Sequence, residues 1–529
     1  MPESLFFFFR ILLALLSGFS LVFAYPAYDF EALSWFALVP LLVSLVGVSL
    51  FRGFCLGCVT GVIYFSGIFY WIKITNLFNW VEFSIAVFYL STSLGVFCLG
   101  LVWISKETRF PQLLTAPAMW VALEYLRSHM GFLQLPWGSL AHSQYLNIYL
   151  IQLASWTGTY GVSFVIVMAN VFLSQITIAW CFRTIPNFSK PFSPILPQAL
   201  AVIIVGTFVV LFGSHVVANG PKPTTLPVTV IQGNIPQDAK WKPELKGVHL
   251  TKHLRLTTTA LQAGPTSLVV WPELSAQGRL NQDWGLRQTL TNLAKEMNTH
   301  LIIGSGESIK FGDAELKRTK SFNSAFFITP NGQIKDEYQK IHLLPFAEYL
   351  PLKDVIPWPA RYFSLDDTFP GNTYTVFSLG KHRFSTLICW EMLFPDLVRQ
   401  FVNNGAEFLV NMSNEAWFST THAPYQFLVM NVFRAVENRI AIARSSNTGV
   451  SAMIDPHGRI SGRVRQGDSD IFVEGFLTMA LPLRTDHTFY SQYGDIFVYV
   501  NICLVLIGFI AVWLLRRNRS TSHVVVGSK

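Results

Sequence analysis

Apolar residues run in eight long stretches, and between the seventh and the eighth they give way to short alternating patterns. The stretches lie near 5–24, 33–51, 54–72, 83–104, 111–126, 148–182, 195–217 and 497–515. A bilayer core about 30 Å thick takes roughly 20 apolar residues as a helix, so each reads as a membrane span. The fifth is the weakest of them, with Pro111 and Pro117 in its first turns and Glu124 near its end. The sixth is long enough to span with flanking turns at the surface. From 221 to 490 the pattern changes. Leu226–Ile231, Ser267–Trp271, 300–304, 384–389, 407–411, 440–445, 449–454 and 471–476 read as strands, and 285–297 and about 422–438 as helices. Asn323–Thr329 and Gln333–Tyr338 flank Pro330-Asn331-Gly332, a hairpin signal. Such alternation predicts an α/β domain with sheets buried under helices. Residues 342–373 fit neither pattern. Pro345, Pro351, Pro357, Pro359 and Pro370 alternate there with Phe346, Tyr349, Leu350, Trp358, Tyr362 and Phe363, an aromatic loop long enough to be functional.

Charge sharpens this division. Only 13% of the 529 residues are charged, about half the usual share for a soluble domain. Residues 221–490 hold 27 of the 39 Lys and Arg and 24 of the 31 Asp and Glu, which leaves 12 and 7 for the rest. A wholly soluble chain and a disordered one are both excluded. The expected domains are a seven-span membrane domain over 1–217, a domain over 221–490, a last span over 497–515 and a tail over 516–529. Arg52, Lys106, Arg109, Arg183 and Lys190 fall in loops on one side, joined by Arg516, Arg517, Arg519 and Lys529 of the tail. Only Lys73 and Arg127 fall on the other side. Nine against two places both termini in the cytoplasm and the 221–490 domain outside. A cleaved signal peptide fits less well, because Arg10 is embedded in the first apolar run and more spans follow. The net charge of +8 is too scattered to indicate nucleic acid.

Five cysteines, Cys55, Cys58, Cys98, Cys181 and Cys503, fall in expected spans, and Cys55 and Cys58 read as small packing residues despite their CxxC spacing. Cys389 alone belongs to the 221–490 domain, so no internal disulfide accounts for it. It ends an apolar strand, Leu387-Ile388-Cys389-Trp390-Glu391. Two other patches match it in character. Trp271-Pro272-Glu273 puts an acid just past a strand, and Tyr338-Gln339-Lys340-Ile341-His342-Leu343 puts a lysine before the aromatic loop. A surface carboxylate, an edge-strand lysine and a buried cysteine are the ordinary readings of each patch taken singly. Together they describe a site. A thiol is mostly protonated at neutral pH and needs a base, which Glu273 could supply. Lys340 would balance that carboxylate and hold a developing oxyanion, aided by the backbone N–H after Cys389. The histidines are scattered, and His342 and His422 form no cluster, so no metal or other cofactor is implied.

Glu, Lys and Cys in that order, in the settings WPE, YxKxHLxPFxEYxP and CWE, resemble the nitrilase superfamily. With seven spans before and one after, the chain resembles the apolipoprotein N-acyltransferase family. Gln232-Gly233-Asn234-Ile235-Pro236-Gln237 with Lys240-Trp241, Asn411–Phe418 and Arg434–Arg439 agree with it. The resemblance implies a nitrilase-like αββα sandwich beside the multi-span helical domain. It implies Glu273 as general base, Lys340 as oxyanion partner and Cys389 as nucleophile, with Glu348 orienting or charging Lys340 and Glu391 supporting the site. Trp241 and Trp417 match aromatic residues near the acyl groups. Trp358 and Phe418 join them as a lipid-facing rim. Arg434 and Glu437, three apart on one helical face, read equally as an ion pair under the site. Trp390 stands where many of these enzymes have tyrosine, Glu415 where aspartate is usual and Ser419 where glycine is usual, which bears on the acyl pocket. The implied reaction moves an acyl chain from a phospholipid donor, through a Cys389 thioester, to the amine of a diacylglyceryl apolipoprotein at the outer face of the bacterial inner membrane. Two alternatives stand beside it: a membrane-tethered amidase that passes its thioester to water, and a transporter with an inert outer domain. Against the transporter, Arg10, Glu82 and Glu124 lie near span ends rather than mid-span.

Overall fold

A computed structural model of the chain describes residues 3–75, 78–107, 112–181, 195–219, 224–311, 318–359, 368–484 and 486–526. Arg109, Arg183, Lys190, Lys529, Tyr362 and Phe363 lie outside these. The chain divides into two compact units. One holds Met1–Lys73, Phe78–Ala218 and Asp495–Lys529; the other holds Asn219–Gly494 with Ile74–Leu77.

The first unit is helical. Among the described residues, six helices are long and apolar enough to cross a membrane: Phe7–Ala24, Leu50–Thr75, Trp80–Lys106, Thr159–Cys181, Ile195–Ala218 and Ile496–Leu515. The apolar run near 33–51 does not become one helix. It breaks into a short 3-10 turn, Glu31–Trp35, and the six-residue helix Val39–Ser44, which has a proline in its first turn. Gly47 then takes a left-handed φ of +70°, and Ser49 opens the next helix by accepting a hydrogen bond from Arg52 N. Arg52, expected in a loop, therefore lies in the first turn of the helix Leu50–Phe69. The fifth run forms the helix Gln112–Ser128 with Pro117 inside it. Glu124 is buried there rather than at a surface end, accepting from Trp120 Nε1 at 2.8 Å, Leu140 N at 2.9 Å and Ser139 Oγ at 3.0 Å. Arg127, expected in a loop, is buried in the last turn of that helix and donates to Gly138 O at 3.1 Å. Small residues let two helices approach closely. A side chain at Gly57 or Gly61 would collide with Leu94 O or Ser91 of the helix Trp80–Glu107, and Cys58 fills the space beside Gly95.

The second unit is a four-layer αββα sandwich. Among the described residues its thirteen strands are β1 Thr225–Gln232, β2 Leu268–Val270, β3 Ala276–Arg279, β4 His300–Phe311, β5 Arg318–Ile328, β6 Ile334–Gln339, β7 Phe377–Leu379, β8 His382–Ile388, β9 Phe408–Ser413, β10 Ala441–Ser446, β11 Ala452–Ile454, β12 Ile460–Arg463 and β13 Gly475–Pro482. One sheet runs β13-β1-β2-β4-β5-β6, with β3 beside β4; the other runs β12-β11-β10-β9-β8-β7. In each, the central neighbours are parallel and the outer pairs antiparallel. Strand β5 shows how the layers separate. Phe326 and Ile328 join the core under the helices Lys246–Ala263 and Trp284–Glu296, together with Leu256, Leu290, Ile303 and Trp271. Between them, Phe327 points the other way and packs on Phe377 and Phe384 of the facing sheet at 5.6 and 5.5 Å. The predicted hairpin is present as β5 and β6. The helix Lys246–Ala263 has no counterpart in the apolar periodicity, because Thr257-Thr258-Thr259 and two histidines blunt it.

Candidate active site

Loops at the carboxyl ends of β2, β6, β8 and β9 bring the chemistry together. After β2 the chain passes through Trp271 and Pro272 to Glu273. Trp271 is fully buried, donates its indole N–H to Thr257 Oγ1 at 2.8 Å and lies against the buried His253. That apolar anchor fixes the backbone from which the nearly buried Glu273 projects. Lys340 follows β6 and is fully buried, its N–H donating to Asn323 O at 2.9 Å and its carbonyl accepting from Gly371 N at 2.8 Å. Its ammonium sits 2.8 Å from Glu348 Oε2 and 3.7 Å from Glu273 Oε1. Asn323 spans both carboxylates, donating through Nδ2 to Glu273 Oε1 at 2.8 Å and to Glu348 Oε1 at 3.1 Å. Glu348 also accepts from Leu344 N at 2.7 Å, which closes the start of the aromatic loop on its own acid.

Cys389 follows β8 with φ +57°, a left-handed conformation unusual for a residue with a side chain, and begins the short turn Cys389–Leu393. The turn is braced from below. Arg434 Nη1 donates to Leu393 O at 3.1 Å while its Nη2 pairs with Glu437 at 2.7 Å, both side chains being buried. Glu391 braces it from the side, and its carboxylate accepts four hydrogen bonds. Ile388 N donates at 2.7 Å, Tyr338 OH at 2.7 Å, Ile341 N at 2.8 Å and His342 N at 3.0 Å. One buried acid thus ties the Lys340 segment to the Cys389 turn. Trp390 adds a second tie, its indole donating to His342 O at 2.6 Å.

The electrostatics follow from this packing. Burial and the Glu273 carboxylate push the Cys389 thiol up to about 12, while Lys340 and a hydrogen bond with Ser413 pull the other way. At rest the site therefore holds a thiol, and a base is needed to activate it. Burial lowers the Lys340 ammonium, but Glu348, Glu273 and Cys389 outweigh it and hold its pKa above the ordinary value. Burial raises Glu391 to about 7 against its four donors. Beneath β9, Arg444 is fully buried, bonded to Asn411 and Glu415, and Asn411 Nδ2 donates to Cys389 O at 3.3 Å. Among the described residues, no three His, Cys, Asp or Glu side chains gather in a way that would hold a metal ion.

The aromatic candidates sit differently. Trp241 is 52% exposed and Trp417 39% exposed. Phe418 is half-buried, with its ring 5.5 Å from Phe427. Trp358 is half-buried and packs edge-on against Phe346 at 5.1 Å, its indole donating to Pro351 O at 2.6 Å. It is a strut inside its loop as much as a rim. Trp390 is buried. Three residues that the sequence left unassigned belong to the network: Asn323, Asn411 and Ser413. A polar residue in an otherwise apolar strand is the one signal that could have found them, and it is weak.

This αββα sandwich carries Glu273, Lys340 and Cys389 just past the ends of β2, β6 and β8 and Glu348 in the loop beyond β6, and the profile of the carbon–nitrogen hydrolase family matches residues 227–474. A second profile, the apolipoprotein N-acyltransferase N-terminal domain, matches residues 17–172. The chain is 35% identical to an apolipoprotein N-acyltransferase of Geobacter metallireducens, over 96% of this chain and 95% of that one. It is 30% identical to one of Rickettsia typhi, over 80% of each chain. The chain belongs to the apolipoprotein N-acyltransferase family. It is an acyltransferase with a nitrilase-type domain and a multi-pass membrane part, and the amidase and transporter readings are not favoured. A solved structure of Saccharomyces cerevisiae Nit3, a member of the nitrilase superfamily, aligns with 50% of this chain and 92% of its own at 21% identity and a TM-score of 0.37.

Proposed function

We propose that the enzyme transfers the sn-1 acyl chain of a phospholipid to the α-amine of a diacylglyceryl-cysteine lipoprotein through a thioester on Cys389. The observation that carries this reading is the Lys340 ammonium, buried between Glu348 and Glu273. Such an array serves a reaction that deprotonates a thiol and then builds an oxyanion. Glu273 takes the Cys389 proton, and the sulfur attacks the ester carbonyl. Lys340 and the N–H that follows Cys389 hold the tetrahedral oxyanion. Its collapse expels the glycerol oxygen, which takes the proton from Glu273 and leaves as a lysophospholipid. In the second half, the amine attacks the thioester, Glu273 accepts its proton and the thiolate departs. Glu348 keeps Lys340 charged and in place. Glu391 fixes the Cys389 turn, and Trp241, Trp358, Trp390, Trp417 and Phe418 shape the acyl pocket or its entrance. Both substrates are lipids, so anchoring the enzyme in the bilayer that holds them lowers the cost of bringing them together. Seven crossings of the bacterial inner membrane before the catalytic domain require the broken segment Glu31–Ser44 and the helix Gln112–Ser128 to cross along with the five long helices, and Ile496–Leu515 crosses after it. Both termini lie in the cytoplasm and the catalytic domain on the outer, periplasmic side.

Mass spectrometry tests the chemistry. Phospholipid without acceptor should add one fatty-acyl mass to Cys389. A diacylglyceryl peptide with a free N-terminal amine should discharge it, and the N-acetylated peptide should not. Discharge by buffer at the same rate would make the enzyme a hydrolase, and an acyl mass on another residue would sink the assigned roles. Topology has its own test. A reporter fused after Ile231 should be active only outside the cytoplasm and one on the tail only inside; both on one side would remove the last span, and both inverted would remove an odd number of the spans before Ile231.

A further inference from the structure

Behind Glu273 lies a second lysine that the reaction above does not use. Lys240 is as deeply buried as Lys340, and both are among the largest fully buried side chains of the molecule. Its ammonium donates to the backbone carbonyl of Glu273 at 3.0 Å and to Asn414 Oδ1 at 2.8 Å. Asn414 is held in turn by Asn447 Nδ2 at 2.9 Å, and Asn447 also binds Ile235 O at 2.8 Å. One buried charge thus ties together the loops that follow β1, β2 and β9. A lysine is an expensive residue to bury for hydrogen bonding alone, since a neutral donor would serve two carbonyl oxygens without the desolvation cost.

The charges around it supply a reason. Glu273, Glu348 and Glu391 are three acids around the single cation Lys340. Arg444 and Glu415, the nearby buried pair, cancel each other. Counting Lys240 lowers the excess of acids over cations from two to one. Burial lowers the Lys240 ammonium to about 8, while Glu273 and Cys389 both pull it up. The other titratable groups that sense it, His249 and His253, are pushed toward their neutral forms, chiefly by burial. We propose that Lys240 is the second cation of the acyl-transfer site, a positioning residue that fixes the backbone of Glu273 and whose charge, added to that of Lys340, lets the Cys389 thiolate form. The proposal rests on Glu273 and Cys389 acting as base and nucleophile.

The test follows iodoacetamide alkylation of Cys389 by peptide mass spectrometry between pH 6 and 10, on the full chain in detergent. It compares the wild type with Lys240→Met and Lys240→Gln. Met removes both donors and charge; Gln keeps a donor and removes only the charge. An opposite charge nearby moves an ionisable group by about one to three units, so both variants should alkylate about ten- to a thousandfold more slowly at pH 7 and recover at higher pH. A Gln variant with the wild-type profile would reduce Lys240 to a hydrogen-bond donor and overturn the proposal. Wild-type profiles in both variants would overturn it as well. A variant that merely loosened the fold would expose an ordinary thiol and alkylate faster, the opposite direction, and that outcome counts against it too. Failure of the underlying reading shows separately, as the absence of an acyl mass on Cys389 of the wild-type chain given phospholipid.

Discussion

The charged interior of the site and its aromatic surroundings are built on opposite plans. Glu273, Lys340 and Glu391 are buried, and each is held by partners from at least two separate segments of the chain. Trp241 and Trp417 turn large apolar surfaces outward. Reacting groups must stand within a few tenths of an ångström of one geometry, and a low-dielectric setting makes their charges effective. A surface that takes up acyl chains gains from area and tolerance instead, because apolar contact has no preferred direction. Interior substitutions should therefore cost rate in steps of orders of magnitude, and rim substitutions should cost a few-fold in substrate use.

The sharpest way to break this contrast is at the nucleophile. Cys389→Ala should show no acyl-enzyme at all, and Cys389→Ser almost none, because a hydroxyl is far harder for Glu273 to deprotonate. Next comes the base. Glu273→Gln keeps the shape and should slow acylation by about 10²–10⁴-fold in single-turnover measurements, with Lys340→Met close to it. An effect near the bottom of the rim's range would mean that the interior is not the reacting centre.

The interior should also show in stability. His253 is fully buried, donates from Nδ1 to His249 O at 2.9 Å and is held by burial near a pKa of about 4, against 6.5 in the open. Its folded pKa is depressed, so the unfolded chain binds the extra proton first. Stability is then complete above about pH 6.5 and is lost as pH falls toward 4. At 1.36 kcal/mol per unit the loss reaches about 3 kcal/mol. The unfolding midpoint of the wild type should fall over that window relative to His253→Leu, and parallel curves would show that the histidine is not buried neutral. Asn323→Leu leaves two carboxylates without their shared donor. It should slow acylation about ten- to a hundredfold, the equivalent of one or two hydrogen bonds to a charged group.

The smallest effects belong to the rim. Trp417→Ala should raise KM for phospholipid less than about tenfold with kcat little changed. Trp358→Ser should weaken use of long-chain phospholipid more than of a short-chain soluble ester. Its bond to Pro351 O makes it the most informative rim residue, since equal loss on both substrates would assign it wholly to holding its loop together.

Hydropathy and periodicity are local properties, and what depends on them was legible in the chain. The apolar runs, the β5–β6 hairpin, the helix Ala423–Asn438 and the strand ends carrying Glu273 and Cys389 could all be read without a structure. So could the order of Glu, Lys and Cys, because each sits in a distinctive local setting. Tertiary packing alone decided the rest. Whether 33–51 makes one helix depended on a proline, a glycine and a capping serine outweighing a continuous apolar run. Glu391 looked like a neighbour of the nucleophile, but three of its four donors lie about 50 residues away. Asn323, like Lys240, acquires meaning only where strands distant in sequence end side by side. A hydrogen bond to a buried charge is fixed by where the partner's backbone lies in space, and no sequence window is wide enough to contain both.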